Sequence, residues 1–227
     1  MTSEAAADQT RIRHVVILGH PEPGSFNHQV AEAYCRAARE NGHEAVIRDL
    51  YELGFDPCLR AGRIPGHSTG MSADVARELG FLREADVVVF VYPIWFGMPP
   101  AIIKGYVDRA MGVATTPKDV RDEHPDSILA GKSLATFSSS ATTRIWLDEK
   151  GQMEAIRRAF DRYLTSIFGM VDAGHLHFGA IVEGMNARFV GQSLLEVEEN
   201  ARSICSKVAA ARHASKARGA LERAGAR

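Results

Sequence analysis

The sequence predicts an α/β fold: a five-stranded parallel sheet in the order 2-1-3-4-5 with helices on both faces. Three observations carry that reading. Short apolar runs rich in β-branched residues recur along the chain. The run at 87–93, Val-Val-Val-Phe-Val-Tyr-Pro, is continuous rather than alternating, as a parallel strand buried on both faces must be. Segments with apolar residues at three- and four-residue spacing separate these runs, so strand and helix alternate five times. Right-handed crossovers limit the topology. Five strands in this rhythm fit an order whose ligand site lies at the switch point between the first and third strands.

The first strand is 14–19, His-Val-Val-Ile-Leu-Gly, followed by a loop and a helix over 27–41. Phe26, Val30, Tyr34 and Ala37 give this helix an apolar stripe. Asn41-Gly42 ends it, because both residues accept the left-handed conformation. A second strand covers 44–50. Residues 51–71 form a long loop rich in Gly and Pro, a length that is often functional in a compact domain. Ser72 caps a helix to about Glu84, with Val75, Leu79 and Leu82 inward. The third strand stops at Pro93, and an aromatic loop follows. The next helix opens at Pro99 and Pro100, where a missing N–H costs nothing, and ends near Gly112. A polar loop, 113–130, leads to a fourth strand at 132–139, a loop at 140–152 and a helix at 153–168. A fifth strand at 173–181 precedes a last helix at 186–211, with Phe189, Leu194, Val197, Ile204 and Val208 inward. Residues 1–11 read as a disordered leader and 12–211 as one domain. Residues 212–227 read as a basic, Ala-rich, disordered tail.

The bulk composition excludes several classes. The chain has 227 residues, 45% hydrophobic and 24% charged, the balance of one soluble globular domain. A formal net charge of −1 gives no basic field for nucleic acid. No apolar run reaches the ~18–20 residues of a membrane span, and the acidic start is not a secretory signal. Cys35, Cys58 and Cys205 are far apart and odd in number, which fits a reduced, cytoplasmic protein. His175 and His177 face one way on a strand, but no Cys, Asp or Glu stands at a ligand offset. Ordinary packing and hydrogen bonding are expected for them, and no metal.

Three loops meet at the carboxyl edge of this sheet. The first is His20-Pro-Glu-Pro-Gly-Ser-Phe-Asn27, at the start of the first helix. Unpaired backbone N–H groups and the helix dipole favour an anion there. His20, Ser25 and Asn27 add polar contacts, although Ser25 or Asn27 can equally serve as a cap. The second loop carries Trp95 and Phe96, either a wall for a flat ligand or residues of the core or a dimer interface. The third, Phe137-Ser-Ser-Ser-Ala-Thr-Thr143, is small and hydroxylated, so a flat ring can approach it closely. A phosphate pocket beside a flat pocket is the shape a flavin nucleotide demands. No GxGxxG follows the first strand, no P-loop sequence occurs and no G-x-S-x-G elbow is present, which excludes the simplest rivals.

At these residues the chain resembles the flavodoxin-like NAD(P)H:quinone oxidoreductase family, which includes DT-diaphorase and bacterial NAD(P)H dehydrogenases of its type. The matching motifs are 20–27 and Tyr92-Pro-Ile-Trp-Phe-Gly-Met-Pro99, continuing through Ala101-Ile-Ile-Lys-Gly105 to Asp108-Arg109. The likeness spans about 12–205 and implies a homodimer with a flavin at each of two interface sites. By position, His20, Ser25, Phe26 and Asn27 would hold the flavin phosphates and ribityl chain. Pro93, Ile94, Trp95 and Phe96 would line the ring. Ser140, Ala141, Thr142 and Thr143 fall where the family has a Thr-Thr-Gly-Gly-like loop, with both glycines replaced here. Trp146 falls near the family's catalytic tyrosine, and Phe96 borders the acceptor. No histidine follows Trp146 where mammalian members keep one, and 113–116 lacks the usual aromatics. Gly105 is expected to permit close helix packing, and Asp108 and Arg109 to form ion pairs.

The resemblance implies two-electron, ping-pong hydride transfer from NAD(P)H to a quinone or related aromatic acceptor. FAD is the cofactor that the likeness implies, with FMN as the alternative. The rival roles are a flavin-binding regulatory subunit of a partner such as a potassium efflux system, and a flavodoxin-like electron carrier. The near-neutral charge argues against the carrier.

Overall fold

The protein is described from a computed structural model covering residues 11–61, 71–113, 118 and 127–225. Its five strands are β1 Arg13–Leu18, β2 Glu44–Asp49, β3 Val87–Pro93, β4 Ser133–Ser139 and β5 Val171–Phe178. They pair in parallel in the expected order, β2-β1-β3-β4-β5. The helices are α1 Phe26–Glu40, α2 Ala73–Glu84, α3 Ala101–Tyr106, α4 Arg144–Glu149, α5 and α6 Ala187–Gly225. Helix α3 runs on into a wider π-type turn, Val107–Met111. Helix α5 comprises Gln152–Ile156, a π-type stretch Arg157–Arg162 and Tyr163–Phe168.

Alternation along the strands sorts the core into two layers. Val16, Leu18, Val87, Val89, Val91, Ala135 and Phe137 pack under α1 and α6. Val15, Ile17, Val88, Phe90, Tyr92 and Leu134 pack under α2, α3 and α5. Every residue of β3 is buried, which is why its sequence is an unbroken apolar run. The stripe Phe26, Val30, Tyr34 and Ala37 is buried throughout.

Glycine decides one close contact in this frame. A Cβ on Gly105 would stand 2.4 Å from the Pro57 backbone, so the absent side chain lets α3 lie against that loop, as expected. The neighbouring charges pair: Lys104 Nζ with Asp108 Oδ1 at 2.5 Å, and Arg109 Nη1 with Asp74 Oδ2 at 2.8 Å. Arg109 also donates to Ser72 Oγ and to the Asp56 carbonyl.

Two segments and one side chain differ from the sequence reading. The loop expected at 140–152 contains α4, because Thr143 accepts the Trp146 N–H as a cap and Leu147 is buried as an anchor. Helix α6 does not stop near Ala211 or leave a disordered tail; it is helical through Gly225, in keeping with the high helix propensity of its Ala, Arg and Lys residues. Phe189 on α6 is exposed rather than inward, whereas Val197 and Ile204 are buried as expected. Residues 1–10, 62–70, 114–117, 119–126 and 226–227 lie outside the described residues, and with them most of the leader, part of the long loop, most of the 113–130 loop including the 113–116 segment, and the end of the tail. Among the described residues, no helix is long and apolar enough to cross a membrane.

Candidate functional site

The carboxyl ends of β1, β3 and β4 bring the three loops together. The first loop ends in a braced helix start. Ser25 is the N-cap of α1, and its Oγ accepts from the His28 N–H. The same hydroxyl lies 2.8 Å from His28 Nδ1, while His28 Nε2 lies 2.9 Å from Asp49 Oδ2. Ser25 is thereby held in one orientation at the helix terminus, where backbone N–H groups lack partners within the helix. His28 and Asp49 were not singled out from the sequence; a histidine three residues after a capping serine is the signal that was present.

Phe26 and Asn27 are placed differently from a ligand wall. The Phe26 ring is buried edge-on against Phe178, with centroids 5.4 Å apart. Asn27 is buried, and its Nδ2 donates to Ser139 Oγ at 2.9 Å, tying α1 to β4. What these two residues offer the edge is backbone. The His20 ring lies 6.0 Å from Trp95 and 6.2 Å from His28, joining the first loop to the second. Burial pushes the His20 pKa below its usual value.

The second loop departs most from ordinary packing. Pro93 and Ile94 are buried, but Trp95 is 42% exposed and Phe96 is 108% exposed. Neither aromatic is core. Phe96 also has φ +50°, a left-handed conformation that costs a non-glycine residue about 1–3 kcal/mol. The strain is held by a tight turn: Trp95 and Met98 exchange N–H···O bonds of 3.0 and 3.1 Å. Gln152 Nε2 donates to the Gly97 carbonyl at 2.8 Å, a brace on α5 that sequence reading missed. The Ile94 N–H is spent on the Ser139 carbonyl and the Trp95 N–H on Met98. This leaves the Phe96 N–H to meet a heteroaromatic rim.

The third loop is pinned to the end of β5. Ser140 N–H donates to the Phe178 carbonyl, Ile181 N–H to that of Ser140 and Ala180 N–H to that of Thr142. Ser140 is buried, whereas Ala141, Thr142 and Thr143 are exposed. Thr143 caps α4, whose first turn presents Trp146, 48% exposed. Pro93, Ile94, Trp95, Phe96 and the 140–143 loop therefore share one edge with Ser25 and His20. An anion-favouring helix start, exposed aromatic faces and unspent backbone N–H groups fit the phosphate, ring and polar rim of a flavin nucleotide.

The family model described as Flavodoxin-like fold matches residues 13–204, and the chain belongs to that family. Over 102 residues it is 35% identical to a Haemophilus influenzae protein named as an uncharacterized NAD(P)H oxidoreductase, covering 44% of this chain and 50% of the relative. Over 134 residues it is 32% identical to NAD(P)H dehydrogenase (quinone) 1 of Cavia porcellus, covering 50% and 48% respectively. The chain thus spans about half the length of these curated relatives. NAD(P)H:quinone oxidoreductase from Methanothermobacter marburgensis shares the fold with a TM-score of 0.71 at 22% identity, over 86% of this chain and 96% of that one. An FMN-dependent NADH-azoreductase from Bacillus anthracis, solved with FMN, shares it with a TM-score of 0.61 at 15% identity, over 86% and 99%.

Proposed function

We propose that this chain binds a flavin nucleotide at the carboxyl edge and reduces quinones or related aromatic acceptors with NAD(P)H, two electrons at a time. One observation carries the reading. Phe96 is fully exposed on a strained backbone beside Trp95 and the α1 N-terminus, an arrangement unfavourable in water and suited to a flat, phosphorylated ligand. The oxidoreductase and quinone dehydrogenase names of the similar proteins support the same class of reaction.

A flavin bound here would supply the hydride chemistry; the chain's residues position and shield. Ser25, oriented by His28, and the backbone N–H groups of Phe26 and Asn27 would receive the phosphate. Trp95 and Phe96 would line the ring and hold nicotinamide and acceptor within the ~3–3.5 Å that near-attack geometry requires. The N–H groups of Ala141 and Thr142 would steady negative charge at the ring's polar rim. Trp146 has no hydroxyl and would act as a lid over the acceptor rather than as an acid.

FAD, implied by the family likeness, is retained as the cofactor. FMN is the second reading, favoured by the azoreductase solved with FMN. The exposed aromatics also suit a homodimer interface that closes the site, and a reduced cytoplasmic setting suits three unpaired cysteines. Steady-state oxidation of NADH and NADPH with a simple quinone tests the proposal. Turnover that depends on both donor and acceptor is expected. Flavin-loaded protein that oxidises neither nicotinamide would leave a regulatory or carrier role instead.

A further inference from the structure

His175 and His177 hydrogen-bond as expected, and their bonds join into one chain. Ala173 is skipped in the β4–β5 register, where Leu134 pairs with Asp172 and Ala135 with Gly174. A one-residue slip exchanges the faces of every later side chain. It sets both histidines beside Thr136 and Ser138 on the layer that holds α5, and there a continuous polar chain forms. Asp161 Oδ2 lies 2.5 Å from His175 Nδ1, His175 Nε2 lies 2.6 Å from Ser138 Oγ, and Ser138 Oγ lies 2.8 Å from His177 Nδ1. His177 Nε2 then lies 3.1 Å from Ser140 Oγ, which donates to the Thr142 carbonyl. Thr136 Oγ1 donates to the other Asp161 oxygen at 3.1 Å.

The bond from the Ser140 hydroxyl to the Thr142 carbonyl sets one donor order along the chain. Ser140 gives its proton to the Thr142 carbonyl, so His177 Nε2–H donates to Ser140. Neutral His177 then accepts at Nδ1 from the Ser138 hydroxyl, and Ser138 accepts from His175 Nε2–H. One further proton lies between His175 Nδ1 and Asp161. Burial, and next the neighbouring His175, push the His177 pKa down to about 4, which keeps it neutral as this order requires. Asp161, Ser138, His177 and Ser140 are all buried. Alongside, the buried Tyr92 hydroxyl has no partner, and its ring stands edge-on to His175 at 6.5 Å. A buried polar chain of this kind is weak evidence for stability, since apolar replacements often serve as well. It ends at one of the three loops of the proposed site.

We propose that Asp161, His175, Ser138, His177 and Ser140 form a proton relay serving the 140–143 loop of the reductase site proposed above. Reduction of a quinone by a nicotinamide transfers a hydride and takes up one further proton. The relay supplies it in concert. The Thr142 hydroxyl, which donates to Ser140 Oγ at 3.3 Å in the resting chain, turns outward and releases its proton at the loop. Ser140 turns from the Thr142 carbonyl, passes its proton to the Thr142 hydroxyl oxygen and takes the one on His177 Nε2. His177 takes that of Ser138, and Ser138 takes that of His175. His175 is left neutral with Nδ1–H toward the Asp161 carboxylate. One proton leaves the Asp161–His175 pair, one emerges at the loop, and solvent restores it along the same path. This chain thereby has an acid–base route although no histidine stands after Trp146 at the position where mammalian members keep one. His177 is faced by His175 on its own strand, by Arg144 and Asp148 of α4 and by Arg157 of α5; Asp161 of α5 and Tyr92 of β3 face His175.

Ser138→Ala interrupts the relay at its middle, and Ser138→Thr restores a hydroxyl. Nitrogen-15 NMR of the histidine rings in the full chain is expected to show His177 as the Nε2–H tautomer, with this order lost in Ser138→Ala. With a quinone acceptor, Ser138→Ala should lower kcat on the order of 100-fold, the low end for a positioned acid–base group. It should leave the nicotinamide KM unchanged, alter the kcat–pH profile and solvent isotope effect, and be rescued by Ser138→Thr. His177 in the other tautomer, or an unchanged pH profile in an active Ser138→Ala enzyme, would overturn the relay. Correct tautomers in a wild-type chain that reduces no quinone would instead overturn the reductase reading.

Discussion

At the amino edge of the sheet, Arg13 and His14 are closed in by partners; at the carboxyl edge, Trp95 and Phe96 stand out from their loop. The Arg13 N–H donates to Asp86, and its guanidinium pairs with Glu44 at 3.0 Å and Glu84 at 2.8 Å. His14 is buried with Nδ1 2.8 Å from Tyr34 OH and Nε2 2.8 Å from His43 Nδ1. Every polar atom of the His14 ring is matched. At the other edge the structure tolerates a strained backbone, exposed rings and a buried polar chain leading to a loop. Local rules are obeyed where the sheet is only held together and broken where a ligand would sit, a pattern expected of functional sites.

This contrast can be broken most severely at the closed edge. His14→Ala should cost about 2–4 kcal/mol, a cavity plus an unpaired Tyr34 hydroxyl, with flavin affinity unchanged. Chemical denaturation and a flavin titration of the same variant measure the two. Flavin affinity falling with stability would erase the distinction.

Acid should expose the same residue. Burial, then the charge of His43, lower the His14 pKa from 6.5 to about 3. Below pH 6.5 the unfolded chain gains a proton that the folded chain refuses, so stability falls with pH. The loss is about 1.4 kcal/mol per pH unit once well below 6.5, continuing toward the folded value. Denaturant midpoints between pH 6 and 5 should fall with this slope and a further share from His177, whose pKa burial also lowers, to about 4; His14→Gln should remove the His14 share and leave the other.

At the open edge the signs should reverse. Phe96→Gly relieves the positive φ at no packing cost and should raise stability by up to ~1 kcal/mol. It should weaken flavin binding about ten-fold or more, the loss of ~1.4 kcal/mol of ring contact. A destabilised variant with full affinity would show that the ring packs on protein. Ser25→Ala is the subtlest change. It should cost ~1 kcal/mol as a lost cap and reduce affinity for FMN but not for riboflavin, since only the former carries phosphate. Equal losses for both ligands would make Ser25 a cap alone.

The sheet was legible because its strands are buried on both faces: 87–93 can be read no other way. The aromatic loop was legible because Trp95 and Phe96 follow Pro93 at a strand's carboxyl end. Helix α4 was hidden in polar residues whose cap, Thr143, looks like any loop threonine. Phe26 and Asn27 stand where the sequence places ligand contacts, but their side chains are spent in tertiary packing against Phe178 and Ser139, which no local pattern encodes. The role of His175 and His177 depends on a bulge at Ala173 and on Asp161 from a distant helix. No spacing in the sequence encodes that meeting.

The central claim is that the loops at 20–27, 93–97 and 140–143 form one flavin site. Fluorescence titration of the purified chain with FMN and with FAD, after removal of any co-purified flavin, tests it most directly. Saturable quenching at one flavin per chain, weakened in the Phe96→Gly variant, is the predicted result. Failure of both flavins to bind the folded wild-type chain would contradict the account.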